Sequence, residues 1–152
     1  MEDLNFFVSE IMSRNIISVP PRATVKDVAE LMKENNIGSV VVLESGKVVG
    51  IVTERDIVVR YVAELSGRTP DTVLVEEIMT RDPITIKENT GLMEAARKMV
   101  EKGIRRLIVT NNKGEIVGIV SARDIIRIAP HIYFILSEKL RQARGRPGWG
   151  LI

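Results

Sequence analysis

Apolar residues recur along this chain at two alternating periods, one helical and one extended. The first helix face is predicted by residues spaced at i, i+3, i+4 and i+7, behind an N-cap at Thr24: Val25, Val28, Ala29 and Met32. A second such face, ended by Gly103, comprises Leu92, Ala95, Ala96, Met99 and Val100. Each helix is followed by two continuous Val and Ile runs, SVVVL and KVVGIV, then RLIVT and EIVGIV. Such runs predict strands that are covered on both faces.

This order of elements occurs twice, which indicates an internal repeat. EIMSRNIISV at residues 10–19 matches EIMTRDPITI 67 positions later, and IVTERDIV matches IVSARDII 68 positions later. The extra residue falls in a turn, where an insertion costs little. We therefore predict an α/β protein of two βαββα repeats with pseudo-twofold symmetry. The predicted limits are 1–66 for repeat 1, 67–71 for a linker, 72–130 for repeat 2, and 131–152 for a C-terminal helix and basic tail.

Composition narrows the class of protein. Hydrophobic residues make up 45% of the chain and charged residues 28%, as in ordinary globular domains. The chain has no cysteine, which excludes disulfides, thiolate metal sites and thiol catalysis. It has one histidine, His131, and no triad or clustered-ligand spacing, so we expect neither an enzyme nor a metal site. The apolar runs are too short to span a bilayer and no export signal is visible, so we expect a cytoplasmic protein without membrane contact.

The motif GIVTERD returns in the second copy as GIVSARD and combines three kinds of polar side chain. In each copy a hydroxyl and an acid three residues later fit a helical capping box: Thr53 with Asp56, and Ser121 with Asp124. Local physics leaves that structural interpretation open. The capping box does not explain Arg55 and Arg123, because a cation in the first helical turn opposes the helix dipole. A hydroxyl, a guanidinium and a carboxylate together also fit the phosphate and ribose of a nucleotide.

Two copies of this motif, with IMS and IMT ahead of them, make the sequence resemble a tandem pair of CBS domains. The resemblance covers about residues 9–130 and implies one CBS-pair module with adenosine-nucleotide sites in the cleft between its repeats. Each site would be composite: the Ser or Thr and the Asp of one repeat would hold phosphate and ribose, and apolar residues of the other would enclose the adenine. The resemblance implies AMP, ADP or ATP as ligand, with S-adenosylmethionine as the alternative, and no obligatory cofactor.

Carried over by position, the resemblance assigns two sets of site residues. Site A would comprise Ser121, Arg123, Asp124, Ile119, Arg105, Arg106, Met12, Ile16, Ile17, Ile37 and Gly38. Site B would comprise Thr53, Arg55, Asp56, Ile51, Met79, Pro83, Ile84 and Ile104.

The two predicted sites differ in charge. Where repeat 2 has Arg105 and Arg106 before its second strand, repeat 1 has Gly38 and Ser39. Site A can therefore gather three arginines, which favours a phosphorylated ligand over the sulfonium compound and predicts tighter nucleotide binding there. The other interpretation of this arginine pair is a solvated charge pair at the start of a strand.

The helices after the two motifs carry more apolar residues than a small core absorbs. The surplus comprises Ile57, Val58, Tyr61, Val62 and Leu65, then Ile125, Ile126, Ala129, Ile132, Tyr133 and Ile135. We therefore expect a homodimer through helices 54–66 and 122–136, and a regulated partner protein that the sequence does not identify. Because the net charge is only +2, we do not expect a nucleic-acid partner. The alternatives are a nucleic-acid adaptor that uses the basic tail and a purely structural dimerisation subunit.

Overall fold

The computed structural model describes residues 6–131, 134, 137 and 138, and the predicted order of elements is confirmed in this part of the chain. Repeat 1 contains β1 (Ser18–Val19), α1 (Val25–Asn35), β2 (Ser39–Glu44), β3 (Lys47–Thr53) and α2 (Glu54–Asp56), which runs on as a π-helix over Ile57–Val62. Repeat 2 contains β4 (Thr80–Arg81), β5 (Thr85–Lys87), α3 (Leu92–Lys102), β6 (Arg106–Thr110), β7 (Ile116–Ser121) and α4 (Ala122–Arg127). A single 3-10 turn precedes the first strand of each repeat, at Val8–Glu10 before β1 and at Val75–Glu77 before β4. The predicted basic tail lies outside the described residues.

The helix ends follow the local signals in the sequence. Thr24 caps α1 as predicted: its Oγ1 accepts from Asp27 N at 3.1 Å, and Thr24 N donates to Asp27 Oδ2 at 2.9 Å. Asn36 and Gly103 end α1 and α3 in the left-handed conformation, with φ of 51° and 64°. An αL residue at this position frees the chain to leave the helix while its N–H still caps a carbonyl. The prediction that Gly103 ends the second helix is therefore confirmed.

Each repeat folds its strands around a hairpin. Strand β1 is parallel to β2, and β2 is antiparallel to β3; in repeat 2, β5 is parallel to β6 and β6 is antiparallel to β7. Ser45 and Gly46 connect β2 and β3 with φ of 51° and 77°, the positive values that a two-residue hairpin turn requires. The continuous Val run 40–42 is completely buried, so the prediction of strands covered on both faces is confirmed there.

The segment that leads into each repeat packs on the other repeat. Strand β4, at the start of repeat 2, pairs antiparallel with β3 of repeat 1. Ser13, ahead of β1 in repeat 1, forms the matching bridge to Ile119 of β7, with N–H···O distances of 2.9 and 3.0 Å. Each leading methionine lies over a strand glycine, Met79 over Gly50 and Met12 over Gly118. The two repeats are therefore joined by an exchange of their leading segments.

The composition of the two hydrophobic cores shows the same exchange of leading segments. The core under β2 and β3 includes four residues of the chain just before β4: Val73, Val75, Ile78 and Met79. The core under β6 and β7 includes Val8 and Met12 from the chain before β1. The packing units thus cross the limits 1–66 and 72–130, which stay predictions of the repeats along the sequence.

Some residues of the predicted apolar faces are exposed. On α3, Val100 is 83% exposed, and on α1, Ala29 is exposed, because only a narrow arc of each helix faces its sheet. In the helix after β3, the apolar residues divide between two faces. Ile57, Tyr61 and Leu65 pack against the first core, whereas an exposed set remains that we call the valine ridge: Val58, Val59 and Val62, at 59%, 39% and 53% exposure.

The helix after β7 divides in the same way over its described part. Ile125 and Ile128 pack against the second core, and Ile126 is 67% exposed. Residues 132, 133 and 135 of the predicted surplus lie outside the described residues. Among the residues that are described, no helix is long and apolar enough to cross a lipid bilayer.

Candidate functional site

Both GIV motifs end a strand and start a helix, as predicted. Thr53 and Ser121 are the N-caps of α2 and α4, and each forms a complete capping box with the acid three residues later. At Ser121 the box consists of Asp124 N donating to Ser121 Oγ at 3.1 Å and Ser121 N donating to Asp124 Oδ2 at 2.9 Å. The structural interpretation of these hydroxyls and acids is therefore confirmed, and the question becomes what each carboxylate has left to offer.

The two carboxylates differ in what else they contact. Asp124 is partly exposed, and within the described part of the chain its carboxylate accepts a hydrogen bond from the Ser121 backbone alone. Asp56 is only 7% exposed, and its carboxylate also accepts from Thr53 Oγ1 at 3.1 Å and from Thr80 Oγ1 at 3.2 Å. Arg60 Nε lies 3.7 Å from the same carboxylate. Of the two, Asp124 is the one with hydrogen-bond acceptor capacity available to a ligand.

Four of the residues assigned to site A lie at the starts of β6 and α4: Arg105, Arg106, Ser121 and Arg123. Arg106 pairs with Ser121 in the β6–β7 ladder, and the carbonyl of Arg105 accepts from Ala122 N at 2.8 Å. Arg105 and Arg123 are exposed, and neither forms an ion pair with another described residue. Guanidinium groups that are solvated and unpaired remain free to bind phosphate.

Arg106 also reaches across to repeat 1. Its Nη2 lies 3.9 Å from Oε1 of Glu54, the first residue of α2. Both side chains pass over Gly38: a Cβ there would collide with the Glu54 carboxylate and would lie 2.7 Å from Arg106 Nη2. Gly38, just before β2, therefore leaves the space in which the guanidinium of repeat 2 and the carboxylate of repeat 1 meet. The structure places Gly38 and Arg106, both assigned to site A, side by side.

The apolar residues assigned to the sites are less concentrated. Met12 lies over Gly118 of β7, next to the Ser13–Ile119 bridge, and Met79 lies over Gly50 of β3 in the same way. Others pack on the core of their own sheet: Ile17 and Ile37 on the first core, Ile84 and Ile104 on the second. Ile16 and Pro83 are half-buried, and Ile51 is buried in β3 opposite Thr80. These assignments to an adenine pocket stay predictions.

The sequence analysis did not single out three residues that contact the predicted site residues: Glu54, which lies near Arg106, and Arg60 and Thr80, which contact Asp56. Each was detectable as a difference between the aligned repeats, because the matching positions hold Ala122, Ile128 and Ser13. Two surface cavities in the described part of the chain do not include Asp124. One is bounded by hairpin residues Gly46 and Gly114 at the opposite end of the strands, and the other by Arg60, Met79 and Arg81.

Comparison with known proteins identifies relatives of the whole two-repeat unit. The family model of the CBS domain matches the chain twice, at residues 8–63 and 75–131. The CBS domain-containing protein YhcV of Bacillus subtilis is 34% identical over 119 residues, which is 78% of this chain and 81% of that protein.

Two solved structures extend the comparison. The hexameric CBS-CP12 protein from bloom-forming cyanobacteria has a TM-score of 0.74 and 32% identity, with coverage of 81% of this chain and 67% of the other. CBSX2, solved in complex with AMP, has a TM-score of 0.69 and 28% identity, with coverage of 84% of this chain and 98% of the other.

Proposed function

The chain belongs to the CBS domain family, and from that premise we propose that it is a regulatory module that binds an adenine nucleotide, AMP, ADP or ATP, between its two repeats. The supporting observation from a relative is the complex of CBSX2 with AMP. The observation in this chain that carries the proposal is the meeting of Asp124, Ser121, Arg106 and Gly38, from both repeats, at one edge of the molecule. The module would report nucleotide levels to a partner protein and would not itself catalyse a reaction.

The residues of site A divide by chemistry. Asp124 would accept hydrogen bonds from the ribose hydroxyls, because its carboxylate has acceptor capacity left after the capping box. Ser121, Arg105, Arg106 and Arg123 would bind phosphate, since charge-assisted bonds from guanidinium to phosphate are the strong ones. The adenine would lie against the apolar members of the site, which are Met12, Ile16, Ile17, Ile37 and Ile119.

Site B would use Thr53, Arg55 and Asp56 in the same roles, with Ile51, Met79, Pro83, Ile84 and Ile104 against the base. We propose that it binds nucleotide more weakly than site A. Positions 38 and 39 of repeat 1 are glycine and serine where repeat 2 has Arg105 and Arg106, so both of these phosphate ligands are missing from site B. Hydrogen bonds to charged groups contribute roughly 1.5–3 kcal/mol each, less where water competes, so one missing contact corresponds to about a tenfold affinity difference.

We further propose that the protein self-associates as a homodimer through the valine ridge. Three exposed valines on one turn of helix form an apolar surface beside the packed face of the same helix. Burial of that surface against a second copy would remove apolar area from water, which favours association. The relative CBS-CP12 is hexameric, which supports self-association of such modules without fixing the number of copies.

Isothermal calorimetry with adenosine, AMP and ATP tests the nucleotide site. Asp124→Ala is expected to remove the tight binding phase for all three ligands. Arg106→Ala is expected to weaken ATP more than adenosine, because its side chain is assigned to phosphate. Arg97→Ala, which removes an exposed cation from α3, is the matched control and should leave all affinities unchanged. Equal weakening of ATP and adenosine by Arg106→Ala would contradict the assignment.

A further inference from the structure

Asp56 belongs to a network that holds β4 on the sheet of repeat 1. Its carboxylate accepts from the Thr80 hydroxyl, at 3.2 Å to Oδ1 and 3.5 Å to Oδ2, and Thr80 pairs with Ile51 of β3. Arg60 lies 3.7 Å from that carboxylate and donates from Nη1 to the carbonyl of Met79 at 2.9 Å. A carboxylate and a guanidinium on one helix turn thus bind the backbone and side chain of the segment exchanged from repeat 2.

The equivalent network is absent at the other motif, within the described residues. The positions matching Arg60 and Thr80 hold Ile128 and Ser13, and neither side chain bonds to Asp124. Ser13 still pairs with Ile119 through its backbone, so the exchanged segment takes the same place without the side-chain network. The fold therefore does not require an acid bound in this way, and the network is a particular property of the first motif.

Ligand binding at Asp56 would have to break this network. Both of its oxygens are engaged and the residue is only 7% exposed, whereas a ribose would offer two hydroxyls to the same atoms. Displacing the Thr80 hydroxyl would leave a partly buried donor without its partner, and such losses are costly. The affinity of this half for a nucleotide would fall at least tenfold below that of the Asp124 half.

We propose that Asp56 is a structural clamp between the two repeats and that each chain consequently binds a single adenine nucleotide, at Asp124. The clamp is inferred from the contacts of Asp56 alone, whereas the stoichiometry of one nucleotide per chain also rests on the proposed function. This goes further than unequal affinity, because the Asp56 half is closed by the protein's own hydroxyl and guanidinium.

Thermal melting without any nucleotide tests the clamp. Thr80→Val and Ser13→Ala each remove a hydroxyl from matching positions, and Asp56→Ala and Asp124→Ala each break one capping box. The Thr80 and Asp56 variants are expected to melt several degrees below their matched partners, because they alone lose the clamp. Equal melting within each pair would overturn the proposal. Should Asp56→Ala fail to fold, the milder pair of hydroxyl variants still decides the question.

Calorimetric titration of the full chain with AMP tests the stoichiometry. The expected result is about one AMP per chain in the wild type. Binding of two AMP molecules per wild-type chain would overturn the proposal that the Asp56 half is closed to nucleotide. No AMP binding at all would overturn the proposed function and with it the single nucleotide, whereas the melting experiment would still establish or refute the clamp.

Discussion

Substitution of Gly118 by alanine probes the exchange of leading segments. A Cβ at this position would lie 2.5 Å from Met12 Sδ, 2.8 Å from its Cγ and 2.9 Å from the carbonyl oxygen of Ser13. Contacts this short force the leading segment away from β7, and one of them is to backbone, which moves less readily than a side chain. The same alanine at Gly67 would meet nothing within 4 Å.

The expected cost follows from two opposing terms. Overfilling a packed site costs about 1–3 kcal/mol. Loss of glycine from the unfolded chain returns about 0.4–1 kcal/mol, because Gly118 does not have the left-handed backbone that would strain an alanine. We expect a net loss of about 1–2 kcal/mol, or roughly 2–8 °C in Tm for a chain of this size.

Circular dichroism melting of the ligand-free protein measures the effect. Gly67→Ala is the control, and it should melt at or slightly above the wild type because it retains only the favourable term. The double variant Met12→Ala/Gly118→Ala should lose less than the sum of its two single variants, since the new methyl occupies space that Met12 vacates. If Gly118→Ala melts as high as Gly67→Ala, Met12 does not lie over β7 and the exchange of segments is refuted.

Three further predictions concern the surface. Val62→Glu on the valine ridge should produce monomers by light scattering at concentrations where the wild type is a dimer, whereas Val100→Glu on α3 should not; a monomeric wild type would contradict the ridge interface. Glu54→Gln should bind ATP about fivefold more tightly by calorimetry and leave adenosine unchanged, because charges 4 Å apart in water interact by about 1 kcal/mol. The hydrogen bonds from Arg68 hold the pKa of Glu77 below its usual 4.5. The ion pair therefore stabilises the fold above that pH, and this stabilisation is lost as the pH falls and Glu77 is protonated. The free energy of unfolding of Glu77→Gln, measured with denaturant, should therefore depend less on pH in the acid range than that of the wild type. An unchanged pH dependence would contradict this.

Much of the fold was predictable because its signals are local. Thr24, Thr53 and Ser121 cap their helices with an acid three residues on, and this short spacing is readable without any knowledge of tertiary structure. Gly103 ends α3 for an equally local reason, since it adopts a positive φ at little cost. The duplicated order of helices and strands follows from hydrophobic periods that span only a few residues.

Apolar periodicity was less informative about which residues are buried. Val100 extends the helical stripe of α3 and is nevertheless 83% exposed. Periodicity places a residue on a face, but the width of the buried arc depends on the sheet that the helix meets. The valine ridge shows the same limit, because the sequence could not divide its residues from the neighbouring Ile57, Tyr61 and Leu65, which pack on the core.

The sequence by itself determined the elements and their caps, because these depend on neighbours within about one helical turn. It also determined the two repeats, because the same motifs return 67 or 68 positions later. Only the tertiary structure decided that each leading segment joins the other repeat: the segments EIMS and EIMT carry the same apolar pattern and fit either core equally well by pattern alone. It also decided the difference between the two acids. Asp56 meets Thr80, 24 positions away, while Asp124 lacks such a partner among the described residues, and contacts at that separation arise only when the chain has folded.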